Sequence, residues 1–151
     1  MSGNEDSRDA ASRPTAFLSY ARADQAQATR LAAALQAAGL NLWWDALIEG
    51  GASFAKSIES ALDRCDAVIV LWSRTSVGSD WVLDEAARGR DLRKLVPVSL
   101  DGIEPPLGFR QYQSIDLSRW QGDADALEIA GVIRGVRAAA EIGRASCRER
   151  V

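Results

Sequence analysis

The sequence contains no histidine. That absence removes the Ser-His-Asp and Cys-His nucleophile devices and most zinc sites. Cysteine is nearly as scarce. Cys65 and Cys147 are the 2 in 151 residues, too few for a disulfide framework or a metal cluster, so no metal is expected. No apolar run approaches the ~18–20 residues of a membrane-spanning helix, and no membrane partner is expected. The opening residues are polar and mixed in charge. They lack the apolar stretch of a secretory signal, so the expected compartment is the cytoplasm. There is no basic excess: 18 Lys and Arg stand against 21 Asp and Glu, a net charge of −3, so nucleic acid is not an expected partner. No G-x-G-x-x-G follows a strand pattern, and no G-x-x-x-x-G-K-[ST] occurs, which speaks against a dinucleotide-binding turn and a P-loop.

What is present is a balanced globular composition, 47% apolar and 26% charged, at the length of one domain. Residues 1–14 are polar and read as a disordered lead-in. From Thr15 short apolar runs alternate with helical patterns. Strands are expected at Thr15–Ser19, Leu40–Trp43, Ala67–Trp72, Leu95–Ser99 and, weakly, Ser114–Leu117. The run Ala67-Val-Ile-Val-Leu-Trp72 fits a strand buried on both faces. Pro97 favours an edge or near-edge place for its strand. Helices are expected over Asp24–Ala38, closed by Gly39, and along Phe54, Ile58, Ala61, Leu62 and Cys65. A third helix is expected over Asp80–Arg90 behind a Ser76 or Ser79 cap, and a last one is striped by Ile129, Val132, Ile133 and Val136.

This alternation predicts an α/β fold: a five-stranded parallel sheet of flavodoxin-like order with helices on both faces. Ligands of such sheets sit at the carboxyl ends of the strands, which directs attention to the loops after Ser19, Trp43 and Trp72. A phospho-receiver of this topology would need an aspartate ending the third strand, where this chain reads Leu71-Trp-Ser73.

The tail reads differently. Ile142-Gly-Arg-Ala-Ser-Cys-Arg-Glu-Arg-Val151 corresponds, in a single frame, to the translation of a widely used short-read sequencing adapter, with Glu141 completing the join. Residues 141–151 are therefore expected to be non-native, and the natural chain to continue past Ala140 into a further domain. Re-sequencing the locus tests this: a stop codon directly after Val151 would refute it.

Three loops carry the distinctive residues: Ser19-Tyr-Ala-Arg-Ala-Asp24, then Trp43-Trp-Asp-Ala-Leu-Ile-Glu-Gly-Gly-Ala-Ser53, then the stretch from Trp72 to Trp81-Val-Leu-Asp-Glu85. In order and spacing the chain resembles a TIR (Toll/interleukin-1 receptor) domain of the bacterial, NAD-cleaving type over residues 15–140. The resemblance implies that Phe17-Leu-Ser-Tyr20 is the opening strand motif and that Trp44-Asp45 through Ser53 is the BB loop. It implies that Trp81 and Glu85 form the tryptophan–glutamate pattern of NAD-cleaving members, with Glu85 catalytic. Ser19, Tyr20, Arg22, Trp44, Asp45, Glu49, Ser53 and Trp81 are the implied substrate-binding residues. NAD+ enters as substrate, with no cofactor. The chain departs from some relatives in placing Ala21 between Tyr20 and Arg22. By family, the role would be that of an effector in bacterial anti-phage immunity. The other implied partner is a second TIR chain, bound head to tail through the BB loop. Such heterologous contacts make open filaments, so activity should rise with self-association.

The residues taken alone point the same way, less sharply. Cleaving the nicotinamide–ribose bond builds oxocarbenium-like charge on the ribose. The pyridinium leaves as a neutral molecule, so no general acid is required and one carboxylate suffices. Trp81 and Glu85, four apart on a helix, share a face. Other readings stay open. Glu85 could form a surface pair with Arg88, and Trp43 and Trp72 favour core packing. Trp81 suits core or a stacking surface equally, while Trp44 and Trp120 are ambiguous. Tyr20 and Arg22 could merely hold their loop, Glu49 could be a solvated charge, and Cys65 reads as buried and inert. Gly50-Gly51 gives the loop freedom to open and close. The rival to the enzyme is a module that signals by TIR–TIR contact alone.

Overall fold

Side chains alternate along a strand, and in this chain both faces of the central strands are apolar. The computed structural model describes residues 13–44 and 52–149, with side chains described for 13–43 and 58–144. In β1 (Thr15–Ser19), Ala16 and Leu18 enter the cluster on one side of the sheet, and Phe17 faces the other. In β3 (Ala67–Trp72), buried throughout, Ala67, Ile69 and Leu71 face the first side and Val68, Val70 and Trp72 the second. Burying one such side chain fully is worth about 1.5–3 kcal/mol, so two apolar faces require a helical layer on each.

The sheet has five parallel strands in the order β2 (Asn41–Trp44), β1, β3, β4 (Leu95–Ser99), β5 (Ile115–Asp116). This is the expected flavodoxin-like order. Helices α1 (Gln25–Ala37) and α4 (Leu127–Glu149) supply the first side's cluster with Leu31, Leu35, Ile129, Val132 and Val136. Helices α2 (Ala52–Arg64) and α3 (Asp80–Asp91) cover the second with Ile58, Leu62, Val82 and Ala86.

β1, β3 and β4 have their expected bounds. β2 begins one residue later than expected because Leu40 belongs to the helix cap before it. Gly39 takes φ +107°, the Leu40 N–H donates to Leu35 O at 3.1 Å, and the Gly39 N–H donates to Gln36 O at 3.1 Å. α1 starts at Gln25 because Arg22–Asp24 forms a separate 3-10 turn. β5 is shorter than expected, although the Leu117 N–H still reaches Ser99 O at 2.8 Å. Pro97 lies in the strand next to the edge strand. α4 continues through residues 141–149. Most of the expected lead-in, residues 1–12, lies outside the described residues.

Candidate functional site at the carboxyl ends of the strands

α3 carries the most informative residue. Its N-cap is Ser79, whose Oγ accepts from the Val82 N–H at 3.3 Å. From there Val82, Glu85, Ala86 and Gly89 fall on one buried stripe. The stripe is narrow because Ala86 and Gly89 are small, and the helix comes down close on β3. Glu85 is thereby carried inward and is only 5% exposed.

A buried carboxylate without hydrogen bonds would cost several kcal/mol, roughly. Here Ser19, at the end of β1 and 1% exposed, donates from Oγ to Glu85 Oε1 at 2.6 Å. That length belongs to the short, charge-assisted class. Strand register explains the meeting. Phe17 and Ala21, two residues to either side of Ser19, both pack on the side covered by α2 and α3.

A second hydroxyl–carboxylate bond lies nearby. Ser73, directly after β3, donates from Oγ to Asp24 Oδ2 in a short hydrogen bond. The Ser73 N–H donates to Ser76 Oγ at 2.7 Å, and the Ser76 N–H returns to Ser73 Oγ at 3.1 Å. The Arg74 N–H reaches Asp101 Oδ2 at 3.0 Å. The loops after β1, β3 and β4 are thus stitched together at one end of the sheet. Asp24, Ser73 and Ser76 were not singled out from sequence as site residues. The available signal was a lone serine closing a wholly apolar strand.

The expected site residues separate as follows. Ser19 and Glu85 meet. Tyr20 is buried in the cluster on the opposite side of the sheet, with Leu18 and Leu31. Arg22 is exposed on the 3-10 turn. Trp81 stands one turn before Glu85 and is 41% exposed, which makes it a surface aromatic rather than core. Trp44 ends β2 and Ser53 lies in the first turn of α2, both with side chains outside the described set. Asp45, Glu49 and Gly50-Gly51 lie outside the described residues, and with them most of the expected BB loop.

Arg88, the alternative partner for Glu85, pairs with Asp63. Its Nη2 lies 2.7 Å from Asp63 Oδ1 and its Nε 2.9 Å from the same oxygen, and this pairing raises the guanidinium's pKa. Trp72 is core, its ring 5.2 Å from that of Phe109. Trp43 packs beside Phe17 and Ile58. Trp120 donates from Nε1 to Asp123 O at 2.9 Å, with the Arg30 guanidinium 5.8 Å from its ring centre. Cys65 is buried, and burial pushes its thiol above the ordinary range.

The TIR domain family model matches residues 16–130, most of the chain, and the chain belongs to that family. Solved structures agree on the fold. The TIR domain of the Toll-related receptor TRR-2 from Hydra magnipapillata superposes with a TM-score of 0.69 at 18% identity, covering 81% of this chain and 97% of that one. A metazoan TIR-STING receptor from C. gigas gives 0.63 at 20% identity over 80% of this chain, which spans 39% of that receptor chain. The TIR domains of the activated Roq1 resistosome give 0.50 at 17% identity, covering 85% of this chain and 84% of that one. No curated protein sequence matches the chain.

Proposed function

We propose that this TIR domain cleaves the nicotinamide–ribose bond of NAD+ and that Glu85 is the catalytic residue. The observation that carries the reading is the placement of Glu85: a carboxylate drawn into the carboxyl-terminal end of an α/β sheet, held by Ser19, with Trp81 one helical turn away at the surface. Open sheets of this kind bind ligands at that end. The chemistry asks for one fixed negative charge. As the bond to nicotinamide breaks, positive charge grows on the ribose, and an oriented carboxylate stabilises it. The bonding electrons leave with nicotinamide, which departs uncharged. The cation is captured by water, which loses a proton to solvent and gives ADP-ribose, or by a nucleophilic group of the substrate itself, giving a cyclic isomer.

Trp81 would offer a stacking wall for the substrate, and Arg22, Asp45 and Glu49 would complete the site from the neighbouring loops. Trp44 and Ser53 keep the roles the family resemblance gives them, while Tyr20, buried with Leu18 and Leu31 on the other side of the sheet, would hold its loop rather than touch substrate. Activity would require self-association through the BB loop, and the setting would be bacterial anti-phage defence within the cytoplasm. Among the described residues no helix is long and apolar enough to cross a membrane.

A second reading, a module that signals by TIR–TIR contact without catalysis, draws on the burial of Glu85. A side chain 5% exposed must be uncovered before it can meet a ribose. The two readings part on one experiment. Concentrated protein is incubated with NAD+ and the products are resolved by chromatography. The enzyme releases nicotinamide at a rate per molecule that rises with protein concentration. The contact module releases none at any concentration.

A further inference from the structure

We propose that Ser19 is a positioning residue for Glu85 and not a contact for substrate. The inference rests on the catalytic reading of Glu85 given above and replaces the substrate-binding role that family resemblance assigned to Ser19.

Three observations carry it. First, Ser19 is 1% exposed against 5% for Glu85, so of the two it is the more deeply covered. Second, a serine hydroxyl has one proton to donate, and this one points at Glu85 Oε1 over 2.6 Å. Third, the anchor is rigid. Ser19 ends a central strand and lies in register with Val70 of β3, while its neighbours Phe17 and Leu18 are buried on opposite sides of the sheet. A glutamate's last torsion is broad and nearly two-fold, so an untethered carboxylate samples many orientations. The bond from the sheet to Oε1 restricts that freedom. The ribosyl cation then meets a carboxylate whose plane is already set, which is the condition for electrostatic stabilisation without reorganisation.

The test uses Ser19→Ala, Glu85→Gln and the double variant. The expected result for Ser19→Ala is a fall in kcat of about 10–100-fold, the size typical of a misplaced reacting group, with KM near the wild-type value. In the Glu85→Gln background, adding Ser19→Ala leaves NAD+ affinity unchanged by calorimetry. A clear loss of affinity in that background would show that Ser19 touches substrate and would overturn the proposal. Should Ser19→Ala fold poorly, Ser19→Cys keeps the side chain's shape with a slightly larger atom and replaces a strong donor with a weak one, and the same split between kcat and KM is expected.

Thermal unfolding separates failure of this proposal from failure of the catalytic reading. Ser19→Ala should lower Tm when Glu85 is present and much less in a Glu85→Ala background. Coupling of that kind in a protein that releases no nicotinamide would sustain the tether and remove the enzyme. Equal losses in both backgrounds would remove the tether itself.

Discussion

A Cβ atom on Gly89 would stand 2.8 Å from the Cβ of Val68. Nothing larger than glycine lets α3 lie this close to β3, and Glu85 sits one turn earlier on the same buried stripe. Gly89→Ala should therefore lift the helix. Overpacking of this kind costs about 1–3 kcal/mol, read as a lower denaturant midpoint. Because the displacement reaches Glu85, activity should fall by more than the lost folded fraction explains. Unchanged stability and activity would show that the helix does not need this approach.

The Asp24–Ser73 bond predicts a separate effect. Ser73→Ala leaves a half-buried Asp24 carboxylate without its hydroxyl partner and releases the loop after β1 from the loop after β3. The expected cost is about 1–3 kcal/mol, the range for hydrogen bonds to charged groups. Limited proteolysis should cut the Ser19–Asp24 loop faster in the variant than in the wild type. Equal cutting rates would mean the loop is held by its backbone alone.

Ser99 offers the opposite case. Its Oγ is buried and, among the described residues, has no hydrogen-bond partner. Removing an unsatisfied hydroxyl recovers a desolvation penalty. Ser99→Ala should be neutral or stabilising by up to about 1 kcal/mol in chemical unfolding, where Ser19→Ala is destabilising. A loss of stability for Ser99→Ala would mean that its hydroxyl is engaged.

Cys65 predicts a pH dependence. Burial raises its thiol pKa, partly offset by Lys94, so the folded protein holds this proton at a pH where the unfolded chain has released it. Its contribution is fully present below the unfolded thiol's pKa. It is lost as pH rises from there through the higher folded value. The difference in unfolding midpoint between wild type and Cys65→Ala should shrink over that alkaline window and stay flat near neutrality. A difference that grows with pH would contradict the sign.

Much of this architecture was legible in the chain because burial on both faces leaves a strong mark. The apolar run Ala67–Trp72 fits a strand buried on both faces, and the binding of ligands at the carboxyl ends of such sheets directs attention to the loops after Ser19, Trp43 and Trp72. The spacing of Trp81 and Glu85 placed them on one helical face. It did not show that Glu85 turns inward while Trp81 stays at the surface, because that depends on the small residues Ala86 and Gly89 meeting Val68 and Val70 across the helix–sheet contact. The Ser19–Glu85 and Ser73–Asp24 bonds join residues far apart in sequence. No local pattern encodes such pairs, and only the strand order brings them together. Leu40 shows the same limit on a small scale: its apolar character suggested a strand, but its N–H was already committed to the cap of α1.

The most direct test compares wild-type and Glu85→Ala protein, at equal high concentration, for nicotinamide release from NAD+, with self-association followed by light scattering on the same samples. The account predicts release by the wild type, none by the variant, and the same self-association in both. Equal release by the two proteins, or no release by an assembled wild type, would contradict it.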